Sequence, residues 1–335
     1  METLKVTSAF YLSNHVAKNN PQNCNRPRVG LREYSPKDAK WDEKRRETLR
    51  TIMLLMNAGR FTRWAERMQE CANWLVYAIL HSDDTGEVIL RLRNANLCHC
   101  RHCFVCNWRR SLMYYARFSE FLPAIAQEHP KARWVLMTLT VPNMPVGALR
   151  DALTDMNAAW RRFAQRKEFK PVLGWIRTTE VTQGKDSDKN AHPHFHVLLM
   201  VPPSWFAKNY VKQSRWLEIW RECMRDDSIT QLDVRTVKDQ AGAIAELTKA
   251  VNYSLKPEIS NASPEWMFEY FTQVHHKRFL AAGGVLKPAL KKILEPETTE
   301  DLIFTDENPK PEENTEETKK VFAWDGNAMR YLEKE

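Results

Sequence analysis

The nine residues His192-Pro-His-Phe-His-Val-Leu-Leu-Met200 constrain this chain more than any other stretch. On a strand, side chains alternate between faces, so residues two apart point the same way. His194 and His196 then share one face, while Phe195, Val197 and Leu199 share the other and enter a core. Two imidazoles placed side by side, each offering a nitrogen, suit a divalent metal. A second strand spans about 172–182, and Glu180 lies near its end, just before the polar loop 183–190. That puts Glu180 at the same end of the hairpin as the histidines. Together they make a two-histidine, one-carboxylate set with positions open for substrate oxygens. Taken alone, a His-x-His pair is as readily a pair of surface histidines on a half-buried strand.

The surrounding pattern predicts an α+β fold. Ser35-Pro36 supplies a helix start, and helices are expected over 36–57 and 61–73, with short strands at 74–80 and 88–93. A long helix follows the cysteine-rich segment to about 127. Beyond it come a strand at 133–141, a helix at 146–166, the two strands of the histidine hairpin, a helix at 209–225, a strand at 230–237 and a helix at 241–255. A further helix is expected over 264–280. The helix at 146–166 repeats Leu149, Leu153, Met156, Trp160 and Phe163 at steps of three and four. Trp160, Trp216 and Trp220 sit at core spacing. The resulting plan is a flexible arm at 1–34, a helical and cysteine-rich region at 35–129, a sheet domain at 130–257, helices at 258–294 and an acidic, largely disordered tail at 295–335.

Charge narrows the partner. The net charge is +8, but residues 1–294 carry 45 Lys and Arg against 29 Asp and Glu, and ten acids crowd between Glu295 and Glu317. So basic a body favours a polyanion, and nucleic acid is the usual one. An acidic tail of this kind can compete for that body, and removing it near residue 294 would then tighten DNA binding. No apolar run approaches the roughly 20 residues that cross a bilayer, and no apolar segment follows Met1-Glu-Thr-Leu-Lys5, so a cytoplasmic, membrane-free location is expected.

Of seven cysteines, four fall within nine residues as Cys98, Cys100, Cys103 and Cys106. Such crowding points to a metal rather than to disulfides. Cys98, Cys103 and Cys106 fit a tetrahedral zinc site, with Cys100, His99 or His102 as fourth ligand. Cys24, Cys71 and Cys223 read as ordinary thiols. Arg109 and Arg110 open the next helix and suit a phosphate clamp. Further on, Tyr253-Ser-Leu-Lys256 closes a helix before Pro257. A phenol with a pKa of about 10 is a poor nucleophile at neutral pH. A metal that polarises a phosphate makes its attack feasible, and Lys256, one turn on, can pair with the phosphate or lower the phenol's pKa.

These pieces, over about residues 95–257, resemble the HUH superfamily of single-strand nucleases, and within it the plasmid rolling-circle replication initiators. Trp134 to Pro142 is similar to the family's first motif, His192 to Leu198 to its metal motif and Tyr253-x-x-Lys256 to its nucleophile motif. Cys98-x4-Cys103-x2-Cys106 before Trp108-Arg-Arg is similar to a stretch found in the same family. The resemblance implies a central antiparallel sheet flanked by helices. It implies Mg²⁺ or Mn²⁺ held by His194, His196 and Glu180, with His192 as a fourth ligand or an orienting group. It also implies that Tyr253 attacks an origin phosphodiester, leaving a 5′-phosphotyrosyl link and a free 3′-hydroxyl primer, and that strands are rejoined at termination. Double-stranded origin DNA and a single-stranded nick site are the implied partners. A host helicase is a further one, since no Gly-x-x-x-x-Gly-Lys-Ser/Thr loop is present. One position departs from the pattern. Relatives with a single active tyrosine carry a glutamate four residues before it, where this chain has Lys249; Glu246, seven residues before, is the candidate substitute. Competing readings are a relaxase or transposase with the same chemistry, a non-catalytic DNA-binding regulator, and a non-haem iron oxygenase.

Overall fold

The computed structural model describes residues 28–81, 88–238, 240–251, 262–305, 308–311 and 317–334, with side chains of α7 described for 241–246. After a short helix α1 (Leu31–Tyr34), helices α2 (Ala39–Asn57) and α3 (Thr62–Gln69) lead into strands β1 (Trp74–His81) and β2 (Val88–Ala95). The 25-residue helix α4 (Phe104–Glu128) then crosses to a second sheet. That sheet is built from β3 (Arg133–Thr140), the two-residue β4 (Met144–Pro145), β5 (Gly174–Gln183), β6 (Asn190–Val201), β7 (Leu232–Val237) and β8 (Leu280–Gly284). Its order is β7-β3-β6-β5-β8 with β4 beside β6, and every pairing is antiparallel.

The alternation expected of the histidine strand is present in β6. Ala191, Pro193, Phe195 and Val197 are buried, and His192, His194 and His196 between them are half-buried. On the face of Phe195, Val197 and Leu199 lie α5 (Leu149–Phe163) and α6 (Gln213–Met224), whose Leu153, Met156, Trp160, Phe163, Trp216 and Trp220 form the main core. The indole of Trp220 also donates to the Thr140 carbonyl at 2.8 Å, tying α6 to the end of β3. On the histidine face, Leu198, Met200 and Ile176 pack with Phe118 and Leu122 of α4 and with Ala243 and Ile244 of α7 (Gln240–Val251). Helices therefore cover both faces.

The structure corrects several boundaries. The helix expected over 264–280 is α8 (Pro264–Val274), and the chain then returns as β8, paired with β5 from Gly174 to Thr178. Leu280-Ala-Ala-Gly-Gly284 has little strand propensity, but Gly283 lies against the Trp175 indole, where a Cβ would come within 2.5 Å of the ring. The sheet domain thus extends past residue 257, into a stretch expected to be helices only, and α9 (Lys287–Ile293) follows it. The acidic tail is not simply disordered. Helix α10 (Thr299–Ile303) is closed by a capping box, and β9 (Thr318–Asp325) and β10 (Arg330–Lys334) complete a four-stranded sheet in the order β10-β9-β1-β2. Phe322 and Tyr331 are fully buried in it. Part of the expected arm is folded as well, since Leu31 is buried and Gly30 bridges to Leu332.

Candidate active site

Adjacent strands bring the expected metal residues together. Glu180 of β5 is the direct cross-strand partner of His194 on β6, and Thr178 is the partner of His196. Nε2 of His194 and Nε2 of His196 both converge on Oε2 of Glu180. The three ligating atoms lie within 4.8 Å of one another. Glu180 is only 2% exposed, and burying a carboxylate calls for compensating positive charge. One carboxylate with two imidazoles fits a divalent cation that keeps open positions. From β3, Thr138 reaches Nδ1 of His196 at 3.4 Å, an orienting contact the sequence did not single out. His192 stands one step outside the cluster, its ring 5.3 Å from that of His194, and burial together with the neighbouring His194 lowers its pKa. Glu246 on α7 pairs with Arg235 of β7 at 3.1 Å. Tyr253 and Lys256 lie outside the described residues.

The cysteine site differs from expectation in its fourth member. Cys71, Cys98, Cys103 and Cys106 form the cluster, and Cys100 stands outside it. Sγ of Cys71 lies 3.5 Å from Cys106 and 3.5 Å from Cys103, and Cys98 lies 3.7 Å from Cys106. Four sulfurs bound at about 2.3 Å to one tetrahedral ion would be about 3.8 Å apart, so the donor set fits such an ion closely. Cys100, in the turn two residues after Cys98, donates its amide to Cys98 Sγ at 3.4 Å. His99 is held by Glu297 and Thr299, and His102 is buried against Phe271, so neither supplies the fourth position. Cys103 is also the N-cap of α4, accepting from the Cys106 amide. Burial opposes its ionisation, but hydrogen bonds from Cys106, Cys71 and Cys98 bring it well below the ordinary thiol range. Cys71, hydrogen-bonded to Cys103 and Cys106, is pushed well above it.

The two arginines expected to clamp phosphate part ways. Arg109 is buried, with its fork donated to the carbonyls of Leu302 and Ile303 at 2.6 and 2.9 Å, so it fastens α10 to α4 instead. Arg110 pairs with Glu297 and faces a cleft.

A carboxylate–histidine cluster on an antiparallel sheet and a four-cysteine cluster, both in a basic chain, define a protein with two metal-type sites. Known sequences supply the class. Residues 89–332 match the family model described as "Replication protein". "Protein rep" of Streptococcus pneumoniae serotype 2 (strain D39 / NCTC 7466) is 30% identical over 308 residues, covering 89% of this chain and 93% of that one. "Protein rep" of Lentilactobacillus hilgardii is 28% identical over 312 residues, 88% of this chain and 95% of that one. A "Protein rep" from Bacillus sp is 35% identical over 193 residues, 57% of this chain and 61% of that one. No solved structure gives a significant match. The chain belongs to the replication protein family, the plasmid replication initiators, and DNA is its partner. Among the described residues no helix is long and apolar enough to cross a membrane.

Proposed function

We propose that this initiator nicks one DNA strand at its replication origin with Tyr253 as nucleophile. The observation that carries the reading is the convergence of Glu180, His194 and His196 on one sheet face. Ala243 and Ile244 of α7 pack on that same face, and Tyr253 follows the last residue of α7, Val251, by two positions. Tyr270 is a poor rival, since burial pushes its phenol up and leaves it no exposure.

Glu180, His194 and His196 would hold a Mg²⁺ or Mn²⁺ ion, which when bound would supply Lewis-acid polarisation of a phosphodiester. The pleat of β6 turns both imidazoles toward Glu180, and Thr138 steadies that of His196. The Tyr253 oxygen forms a bond to phosphorus as the bond from phosphorus to the 3′-oxygen breaks. The phenol gives up one proton and the 3′-oxygen takes one up, leaving a 5′-phosphotyrosyl link and a 3′-hydroxyl that primes synthesis. Attack by a 3′-hydroxyl on that link reverses the step and rejoins strands. Lys256 offers a positive charge to the phosphate. The four-cysteine cluster would hold structural zinc, which would secure the knuckle to α4. Unwinding is left to a host helicase.

The test is cleavage of single-stranded circles from the native replicon by the full chain with Mn²⁺. Nicked product carrying covalently attached protein, lost with chelator, with Glu180→Gln and with Tyr253→Phe, is the expected result. Cleavage that persists in Tyr253→Phe with the same attached protein would overturn the assignment.

A further inference from the structure

Beside the metal cluster, on the same sheet face, the N-terminal half of α4 and the approach to β8 enclose a cleft of about 290 Å³. Thr178 and Thr179 form part of its wall, next to Glu180 on β5. Its other lining residues include Arg101, Arg110, Lys277 and Arg278, together with Tyr114 and Phe279. Of these four cations, Arg110 pairs with Glu297. Arg101, Lys277 and Arg278 differ from it. Among the described residues, none of the three forms an ion pair with a carboxylate. Arg101 instead lies flat over the Phe279 ring at 4.3 Å and donates to the Lys277 carbonyl at 2.7 Å, and Lys277 donates to Thr154 at 2.6 Å. These contacts hold Arg101 and Lys277 in place without neutralising them, and Arg278 is exposed beside them. Such a combination suits a nucleotide, with phosphate oxygens on the cations and a base against the ring.

We propose that this cleft is a single-stranded DNA subsite that holds the nucleotide next to the scissile phosphate. This rests on the nicking function proposed above. Because Arg101 lies within the cysteine knuckle, between Cys100 and His102, the subsite also gives the knuckle a part in positioning the strand. Glu297 pairs with both Arg110 and His99.

The test compares full-length Lys277→Gln/Arg278→Gln with Lys167→Gln/Lys170→Gln, a charge-matched control in the turn after α5. Binding of a fluorescein-labelled, mixed-sequence single-stranded oligonucleotide is measured by anisotropy over a salt series, and thermal melts confirm folding. For the cleft variant, affinity should fall about tenfold, and the log–log salt slope should shrink by about 1.4, or about 0.7 per lost phosphate contact. Adduct formation on single-stranded origin DNA should need correspondingly more DNA to reach half its maximum in the cleft variant, while the control variant matches wild type. If wild type forms adduct but the cleft variant binds like its control, the subsite is wrong and the nicking function stands. If wild type forms no adduct, both fall together.

Discussion

Replacing Cys71 by serine isolates the one cluster member that sequence spacing did not indicate. Its sulfur is 3.5 Å from both Cys103 and Cys106, and the residue is 1% exposed, so a hydroxyl there removes one of four thiolates without opening the site to solvent. Groups that merely support metal ligands are each worth about 10- to 100-fold in affinity. Losing a ligand should therefore weaken zinc by at least about 100-fold, or ~2.7 kcal/mol at about 1.4 kcal/mol per decade. With zinc in excess, the same quantity is lost from folding stability. At about 2–4 °C per kcal/mol, this corresponds to a drop in Tm of about 5–10 °C. Competition against a chromophoric chelator, read alongside melts at fixed zinc, measures both effects. Cys100→Ser and Cys223→Ser serve as controls, since neither sulfur belongs to the cluster. Zinc retention by Cys71→Ser equal to wild type, or a loss in Cys100→Ser as large as in Cys71→Ser, would refute the assignment.

Other consequences can be checked separately. If Glu246 activates water for release of the covalent link, Glu246→Gln should nick normally and accumulate adduct, and unchanged release kinetics in a quench-flow experiment would remove it from that role. Trp220→Ala empties a fully buried site and breaks the tether to Thr140, so urea unfolding should show a loss of about 3–5 kcal/mol. Arg93 hydrogen-bonds both oxygens of Glu317 and holds its pKa below the ordinary value. That contribution is present above about pH 4.3 and lost as pH falls through the lower folded value. Protection of β9 amides, corrected for the intrinsic exchange rate at each pH, should accordingly fall on acidification, and less steeply in Glu317→Gln. Truncation after residue 294 should not simply expose a basic surface for tighter DNA binding. It removes β9, β10 and the Tyr331 hydroxyl that donates to Ala72 beside Cys71, so the melt should drop and zinc should be released more readily, while an unchanged melt would contradict the observed docking.

The histidine strand was legible because period-two alternation and chemistry coincide there: Phe195, Val197 and Leu199 turn to the core, and His194 and His196 turn away from it. Glu180 could be placed because a hairpin fixes which ends meet. Cys71 could not, because it reaches the cluster through packing of the α3–β1 bend against α4 across 27 or more residues of sequence. β8 was hidden by its glycines, whose lack of a side chain is what lets Trp175 lie against the strand. The tail was hidden by averaging. Its acidic stretch masked Phe322, Tyr331 and Leu332, which fill the second sheet. Arg109 and Arg110 are neighbours in sequence but leave α4 in different directions, and only the fold separates a structural fork from a cleft-lining cation.

The most direct measurement is mass-spectrometric mapping of the residue that carries DNA. The full chain is incubated with Mn²⁺ and origin single strand, digested with protease and nuclease, and the peptide that gains a nucleotide is sequenced. Nucleotide mass on Tyr253, through a 5′-phosphate and absent when chelator is added, is the expected result. The same mass on any other residue, or cleavage that leaves no residue modified, would contradict the proposed mechanism.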